Sequence, residues 1–301
     1  MANIAVLKSW DLFLRKVREY FYQRNFVEVP TPFLVSSPGV ETYIDPLAVA
    51  DTDYFLPTSP EFHLKKALAS GLENIFEIKA CFRKDLEGPY HRQEFTMLEF
   101  YRSAADLEDL KNDVMALCET KECKSLSMQT LFQDYLDFDL RPNTSREDLA
   151  ALCRNKNIVA RKDDSWSDLF QRLWLDGIED NLPSETLIFV DKFPPKLAAL
   201  ADFDEEGWAN RMEVYWRGIE LANAYQELRD PIEQAARFAE TNQERLALGK
   251  QAMPIDQDFL NSLNYLKPCA GIAMGLERLY MAKNNIKDIH QVRAFESVVF
   301  R

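Results

Sequence analysis

The sequence predicts an α+β fold in which helices flank an antiparallel β-sheet. One observation is a series of short segments rich in aromatic and β-branched residues. A second is that turns and polar loops join the core segments, whereas a parallel sheet needs regular helical crossovers. A third is the helical spacing of apolar side chains near the N-terminus and in several charged segments.

The N-terminal part predicts a helix, a short strand and a second helix. Residues 7–24 carry apolar side chains at helical spacing, with charged side chains on the opposite face. The segment 26–29 is typical of a strand, and Pro30 and Pro32 end it. A second helix is predicted over 60–70, because a Ser-Pro pair suits a helix start.

The middle of the chain predicts two strands, a helical region and a further strand. The strands at 75–78 and 95–101 are joined by a polar loop, 83–94. Residues 104–182 show little strand character, and we expect them to form a mostly helical inserted or peripheral region. Its predicted helices are 107–122, 145–156 and 166–175. Residues 187–190 return to strand character.

The C-terminal part predicts a hairpin, a helix and an apolar segment. Strands at 212–216 and 219–225 would turn at Arg217-Gly218. A charged helix is predicted over 231–249, because Asp230 and Pro231 suit its start. Residues 272–283 form the last apolar segment.

Composition narrows the class of protein. The chain has 301 residues, of which 47% are hydrophobic, and we expect one domain over 1–301 with a sizeable buried core. Its net charge of −13 disfavours general nucleic-acid binding. Five cysteines without a CxxC pair and three scattered histidines indicate a reduced, cytoplasmic protein without a zinc site. No apolar run is long enough for a membrane span.

A first candidate site is the strand–loop–strand segment 82–101. Arg83 at the loop entrance could hold a phosphate bidentately. Phe95 at the start of the return strand could stack on a purine. A solvated surface hairpin is the alternative for any such segment.

A second candidate is the pair Glu213 and Glu220. With a two-residue turn, Tyr215 would pair with Glu220 and Glu213 with Ala222, so that both carboxylates share one face. Such a pair suits Mg²⁺ held between protein and phosphates. Two exposed glutamates on a wet sheet face are the alternative.

A third candidate is the string from Gly271 to Arg278. Its small residues at alternate positions allow close approach of the backbone, and Arg278 follows where a helix could begin. A dinucleotide-binding fold does not fit, because no β-α-β unit precedes the string.

Taken in this order, these pieces resemble the three signature motifs of the class II aminoacyl-tRNA synthetases. Residues 7–32 resemble motif 1, the dimer-forming element, residues 82–99 resemble motif 2, and residues 271–278 resemble motif 3. The resemblance implies the class II antiparallel sheet flanked by helices, and a homodimer formed through helix 7–24.

Within that class, the chain is similar to the lysine branch at 58–61, 91–99 and 220–228. It resembles more closely the elongation factor P–lysine ligases, a family that consists of the catalytic domain only. The chain starts directly at the motif 1 helix, which leaves no room for an anticodon-binding domain. Ala273 stands where lysyl-tRNA synthetases have glycine and the shorter family has alanine.

The resemblance implies ATP and Mg²⁺ as cofactors and assigns their contacts. Arg83 would hold the α-phosphate and the amino-acid carboxylate, and Arg278 the γ-phosphate. Phe95 would stack on adenine, with Arg278 on its other face. Glu213 and Glu220 would coordinate Mg²⁺. Further ATP contacts are implied for Lys84, Asp85, His91, Arg92, Leu221 and Gly275.

The resemblance also implies an acidic amino-acid pocket. Its residues would be Ser59, Glu61, Glu99, Tyr101, Asn223, Glu227 and Ala273. Glu61 would meet the amine at the reacting end, while Glu99, Tyr101 and Glu227 would surround the distal ammonium. A desolvated ammonium needs carboxylates and hydrogen bonds together. The methyl of Ala273 could favour a β-amino acid. A change of one methyl group alters the free energy of discrimination between substrates by about 1–3 kcal/mol.

Two segments depart from the family pattern. Arg83-Lys84-Asp85 replaces the usual Arg-Asn-Glu, and residues 91–94 read His-Arg-Gln-Glu instead of His-Asn-Pro-Glu. Because aspartate is one methylene shorter than glutamate, the contact of Asp85 with the adenine amino group would be longer or bridged by water. Arg92 would introduce a charge where the family has a neutral contact.

The implied activity is activation of (R)-β-lysine or lysine as an adenylate, followed by transfer to a lysine ε-amine of elongation factor P. One alternative is activation of α-lysine with tRNA or another amine as acceptor. The missing anticodon-binding domain and the acidic charge argue against tRNA as a partner. Another alternative is an inactive paralogue that acts as a binding or regulatory subunit. Against it, Arg83, Arg278, Glu213 and Glu220 are all retained.

Overall fold

The centre of the molecule, in a computed structural model that describes residues 3–84 and 88–295, is an eight-stranded sheet. Its strands are β1 Val27–Glu28, β2 Asn74–Phe82, β3 Glu94–Ser103, β4 Cys123–Ser127, β5 Leu187–Asp191, β6 Arg211–Trp216, β7 Ile219–Gln226 and β8 Cys269–Gly275. The helices around it are α1 Ile4–Tyr22, α2 Glu61–Ala69, α3 Leu107–Cys118, α4 Met128–Leu136, α5 Arg146–Asn155, α6 Trp166–Gly177, α7 Pro231–Ala247, α8 Gln257–Ser262 and α9 Leu276–Asn284. Within these described ranges, no helix combines the length and apolar character needed to cross a membrane.

The sheet is antiparallel through its middle and parallel at its two edges. The spatial order of its strands is β1-β2-β3-β8-β7-β6-β5-β4. The edge strands β1 and β4 run parallel to β2 and β5, respectively. From β2 across the sheet to β5, every two neighbouring strands are antiparallel. The predicted fold class, an antiparallel sheet flanked by helices, is confirmed.

The two faces of the sheet differ in chemistry, because side chains alternate along each strand. In β3, Leu98 and Phe100 belong to the main apolar core, which side chains of α1, α3 and α9 complete. Glu99 lies between them in sequence and therefore projects to the opposite face. On that opposite face, two further apolar clusters pack against helices, one with α2, α7 and α8 and the other with α4, α5 and α6, and polar side chains lie between them.

A row of side chains crosses the sheet because β8 lies between β3 and β7. Ala273 of β8 pairs with Glu99 of β3 on one side and with Asn223 of β7 on the other. Asn223 pairs in turn with Glu213 of β6. Directly paired residues project from the same face of a sheet. Segments far apart in the sequence therefore deliver these side chains to one face.

The β6–β7 hairpin turns at the predicted residues, but its register differs from the prediction. Arg217 and Gly218 both have positive φ, at 55° and 73°. Tyr215 pairs with Glu220 as expected, whereas Glu213 pairs with Asn223. The predicted pairing of Glu213 with Ala222 is wrong, because a β-bulge adds one residue to β7. Since Glu213 and Tyr215 are two apart in β6, Glu213 and Glu220 still project to one face.

Residues 104–182 are neither wholly helical nor wholly peripheral. Helices α3, α5 and α6 form close to the predicted positions. However, α3 contributes Leu110 and Val114 to the main core, and β4 extends the sheet beside β5. Strand β4 was not predicted because its residues, Cys-Lys-Ser-Leu-Ser, lack an apolar pattern, and the first three of them are exposed. Its hydrogen bonds to β5 define it as a strand.

The last apolar segment, predicted over 272–283, is a strand followed directly by a helix. Strand β8 ends at Gly275, and α9 begins at Leu276. This junction places Arg278 in the first turn of α9, beside the polar face of the sheet.

Candidate active site

An open cleft lies on the polar face of the sheet, with an empty volume of about 980 Å³ including solvent at its mouth. Strands β3, β7 and β8 contribute to its floor, and α2 and α9 to its sides. The predicted site residues that line it are Ser59, Glu61, Arg83, His91, Arg92, Phe95, Glu220, Leu221, Asn223, Ala273, Gly275 and Arg278. Residues that the sequence spreads over more than 200 positions therefore meet in one cavity.

Arg278 is held at one end of the cleft by contacts from three sides. Its Nη1 donates to the backbone oxygen of Glu220 at 2.9 Å and lies 3.3 Å from the carboxylate Oε2 of that residue. Its Nε donates to the carbonyl of Tyr90 at 3.1 Å, and its Nη2 lies 2.7 Å from Nε2 of His91. A guanidinium fixed in this way is oriented before a phosphate arrives, which reduces the entropy lost on binding.

Arg83 and Phe95 form the adjoining part of the wall. Arg83 follows directly after β2, and its guanidinium carbon lies 5.2 Å from the centroid of the Phe95 ring. Its Nε also donates to the carbonyl of Thr58 at 3.4 Å. The aromatic face and the cation that were assigned to adenine and phosphate are therefore neighbours. Lys84 is exposed next to this wall, and Asp85 lies outside the described residues.

The two predicted metal ligands differ in accessibility. The side chain of Glu220 is 38% exposed and lines the cleft. Glu213 is buried, and it accepts a hydrogen bond from Tyr215 Oη at 2.6 Å and an ion pair from Arg211 Nη2 at 2.5 Å. Burial raises the pKa of Glu213, Arg211 opposes that shift, and Glu220 adds to it. Glu220 is therefore the carboxylate that a cation in the cleft would meet first.

A magnesium ion fits this region only if substrate phosphates and water complete its coordination shell. Among the described residues, no group of three or more histidine, cysteine, aspartate or glutamate side chains has the geometry of a metal site. Mg²⁺ commonly takes one or two carboxylates and completes its shell with water and substrate phosphates. Glu220, with Glu213 behind it, suits that mode of binding.

Glu179, which the sequence analysis did not select, adds to the negative charge here. It follows α6, and its pKa is raised to about 7 by burial and then by the charges of Glu220 and Glu213. No local pattern marks it, because it lies in the turn directly after α6 and only the fold brings it near Glu213 and Glu220.

The other end of the cleft is built over a buried carboxylate, Glu99. Ser59 Oγ donates to its Oε2 at 2.6 Å, and Tyr101 Oη donates to its Oε1 at 2.6 Å. Its residue exposure is 1%. Burial and the nearby charge of Glu61 raise the pKa of Glu99 to about 8, against the lowering effect of both hydroxyls and of Lys65. A carboxyl in this state can take up a cation by releasing a proton.

A buried lysine that the sequence analysis missed connects two further acids. Nζ of Lys65 lies 2.5 Å from Oε1 of Glu61 and forms a close ion pair with Glu227. Burial lowers the pKa of Lys65, but Glu227 and Glu61 outweigh that effect and raise it, so the side chain is an ammonium. Burial raises the pKa of Glu227 to about 8 in spite of Lys65. The available sequence signal was the i, i+4 spacing of Glu61 and Lys65 in α2.

Gly271 of β8 leaves the space that this acidic end requires. A Cβ on Gly271 would lie 2.2 Å from Cε1 of Tyr101 and 2.6 Å from Oε1 of Glu227. Both distances are far below van der Waals contact. The glycine therefore allows an aromatic ring and a carboxylate to pack directly on the backbone of the central strand.

The structure divides the predicted pocket residues into two layers. Ser59, Glu61, Asn223 and Ala273 line the cleft. The remaining members are buried behind that lining: Glu99, Tyr101 and Glu227, with exposures of 1%, 2% and 1%. For these three residues to contact a distal ammonium directly, as predicted, the ligand would have to pass the residues that line the cleft.

Comparison with known proteins decides the family. A sequence model of the class II tRNA synthetases (D, K and N) matches residues 3–298. A protein of Proteus mirabilis named elongation factor P–(R)-β-lysine ligase is 35% identical, over 98% of this chain and 95% of its own length. One of the same name from Photorhabdus laumondii is 36% identical over the same shares. The chain belongs to this family.

As a member of the elongation factor P–(R)-β-lysine ligase family, the chain is a ligase with a class II synthetase domain. The resemblance inferred from the three motifs is thereby confirmed. A third relative with that name, from Hamiltonella defensa, is 33% identical over 96% of this chain and 94% of its own length. The family membership covers the whole cleft, since the matched residues include both of its ends.

Proposed function

We propose that this protein activates (R)-β-lysine, or lysine, with ATP and transfers it to the ε-amine of a lysine on elongation factor P. One observation carries the proposal. A single cleft holds the guanidinium groups of Arg83 and Arg278 at one end and a cluster of carboxylates at the other. A triphosphate and a diamino acid need these two kinds of surface side by side.

In the first step, a carboxylate oxygen of the amino acid attacks the α-phosphorus of ATP, and the bond to the β-phosphate oxygen breaks. The products are an aminoacyl-adenylate and pyrophosphate. Arg83 holds the carboxylate against the α-phosphate, and Arg278 holds the γ-phosphate, so that the reacting atoms are in line. Glu220 and Glu213 would hold Mg²⁺, which neutralises phosphate charge when bound.

In the second step, the acceptor amine attacks the carbonyl carbon of the adenylate. An amide bond forms, AMP leaves, and the amine nitrogen loses a proton. None of the side chains in the cleft has to form a covalent bond, because the mixed anhydride is already activated. The contribution of the protein is positioning and charge neutralisation.

The acidic end supports selection of a diamino acid. Glu61 lines the cleft, and Glu99 lies buried behind it between Ser59 and Tyr101. A distal ammonium would pair with these carboxyl groups, whereas an amino acid with a neutral side chain would offer them no cation. Ala273, in the same row as Glu99 and Asn223, places one methyl group on the floor, where the position of the reacting amine is set.

We also propose that the enzyme is a cytoplasmic homodimer, and the exposed face of α1 supports the dimer. Ile4, Leu7, Leu12 and Tyr22 are 67%, 39%, 56% and 51% exposed, although their side chains are apolar or aromatic. Burial of such a face against a second copy would remove apolar surface from water. Sedimentation of the purified protein tests this part of the proposal.

The chemical proposal is tested by ATP–pyrophosphate exchange with (R)-β-lysine, with α-lysine and with norleucine, which lacks the distal amine. We expect exchange with at least one of the two diamino acids and none with norleucine. The intact mass of elongation factor P, after incubation with enzyme, ATP and the active amino acid, should increase by one acyl group. Exchange without this mass change would favour another acceptor. Absence of exchange in folded protein would contradict the proposed enzymatic activity.

A further inference from the structure

Lys65 is a charged side chain sealed beneath the amino-acid end of the cleft. It lies in α2 with its side chain 1% exposed. Its Nζ contacts Oε1 of Glu61 at 2.5 Å and a carboxylate oxygen of Glu227. Burying an ammonium is costly unless carboxylates surround it. The contacts explain how Lys65 is tolerated, but they leave open what the buried pair contributes to the site.

The two acids that Lys65 joins occupy different layers. The side chain of Glu61 is 16% exposed and lines the cleft, whereas that of Glu227 is 1% exposed. Glu227 is fixed from behind, because its backbone N–H donates to the carbonyl of Cys269 at 3.1 Å and its carboxylate packs on Gly271. Lys65 therefore links a carboxylate in the cleft to an anchored one in the interior.

The contact with Lys65 is what holds the Glu61 carboxylate in this position. The charge of Glu61 acts on both Glu99 and Glu227, and raises the pKa of each carboxyl. When ionised, the two buried acids repel Glu61 in turn, and Glu61 alone of the three is exposed enough to turn towards water. Lys65 supplies the ammonium that opposes this force, and it engages one oxygen of Glu61, leaving Oε2 for a ligand in the cleft.

We propose that Lys65 is a positioning residue for amino-acid binding, whose buried ammonium holds Glu61 at the cleft wall so that it can receive an amine of the substrate. The inference rests on the proposed function, because it concerns how that substrate is bound. Lys65 itself does not line the cleft, and it acts through Glu61.

The test is a double-mutant cycle between Lys65→Met and Glu61→Gln, measured as the KM for the diamino acid in pyrophosphate exchange. We expect Lys65→Met to raise that KM tenfold or more and to change the KM for ATP by less than twofold. In the Glu61→Gln background, adding Lys65→Met should change the amino-acid KM by less than twofold. Residues that act through one another are non-additive. A purely structural role would give equal losses in both backgrounds.

Two further variants serve as controls. Lys66→Met removes the neighbouring lysine, which pairs with Asp256 at 2.8 Å and does not contact Glu61 or Glu227, and it should leave the amino-acid KM unchanged. Lys65→Arg keeps the cation and should recover at least part of the loss. Stabilisation by ATP in a thermal melt shows that each variant is folded.

If Lys65→Met does not fold, the cycle is repeated in a Glu227→Gln background, where the buried carboxylate no longer lacks a partner. An unchanged amino-acid KM, or additive losses in the cycle, would overturn the role of Lys65 while leaving the proposed function intact. A wild-type protein that exchanges with no amino acid would overturn the proposed function and this inference with it.

Discussion

The charged side chains at the two ends of the cleft differ in how far they are exposed to water. At the phosphate end, Glu220 and Arg278 are partly exposed, with side-chain exposures of 38% and 20%, and they contact each other. At the amino-acid end, Glu99, Glu227 and Lys65 are almost fully buried. Exposed charges can exchange partners at small cost, whereas buried ones keep their partners or change protonation. The phosphate end is thus suited to a large anion, and the amino-acid end to discrimination between cations.

The largest expected effect belongs to the phosphate end. Arg278→Ala removes the guanidinium that contacts Glu220 and His91. We expect the rate of pyrophosphate exchange to fall by about 10²–10³-fold, the usual cost of losing one preorganised charge donor. The exchange rate at saturating amino acid measures it. Arg141→Ala removes an exposed arginine that does not line the cleft and is the control; full exchange in Arg278→Ala would remove that residue from the site.

A second variant tests whether the amino-acid end depends on close packing. Gly271→Ala would bring a methyl group to within 2.2 Å of the Tyr101 ring. We expect the free energy of unfolding to fall by about 1–3 kcal/mol, as for other overpacked sites, and the amino-acid KM to rise. Denaturant titration and exchange kinetics measure the two effects.

Gly88→Ala is the matched control for that variant, because the nearest heavy atom to its Cβ would be 4.0 Å away. It should leave the stability unchanged. Equal stability of Gly271→Ala and wild type would show that the region around Tyr101 and Glu227 is looser than its geometry indicates.

The smallest effect concerns pH and separates the two ends directly. Glu99 has a pKa raised to about 8 by burial and by the charge of Glu61. Below that pH a carboxyl holds a proton that must leave when an ammonium binds, so affinity rises with pH. The side-chain ammonium of lysine, with a pKa of about 10.4, stays charged over this range. Between pH 6.5 and 8.5, we expect the amino-acid KM to fall by about tenfold.

Over the same range, the KM for ATP should change much less. Glu99→Gln should flatten the dependence of the amino-acid KM on pH. An amino-acid KM that is constant from pH 6.5 to 8.5, or that rises with pH, would contradict the assignment of a protonated Glu99 carboxyl to the empty site.

Local patterns in the sequence predicted most of the elements of the fold. Alternation and aromatic content identified β2, β3, β6 and β7, and the turn residues Arg217 and Gly218 located the hairpin. The exceptions have physical reasons. Strand β4 depends on its pairing with β5, and the bulge in β7 belongs to its register with β6. Neither is encoded within a short window of residues.

The sequence by itself determined the family and the chemical types at the site: two arginines, an aromatic ring and several acids in a fixed order. Only the tertiary structure decided which acids face the cleft and which lie beneath it. It also decided that Lys65, inconspicuous in a helix, joins Glu61 to Glu227. The reason is that burial and charge–charge repulsion depend on distances across the sheet, and those distances are set by the order in which β3, β8 and β7 pair.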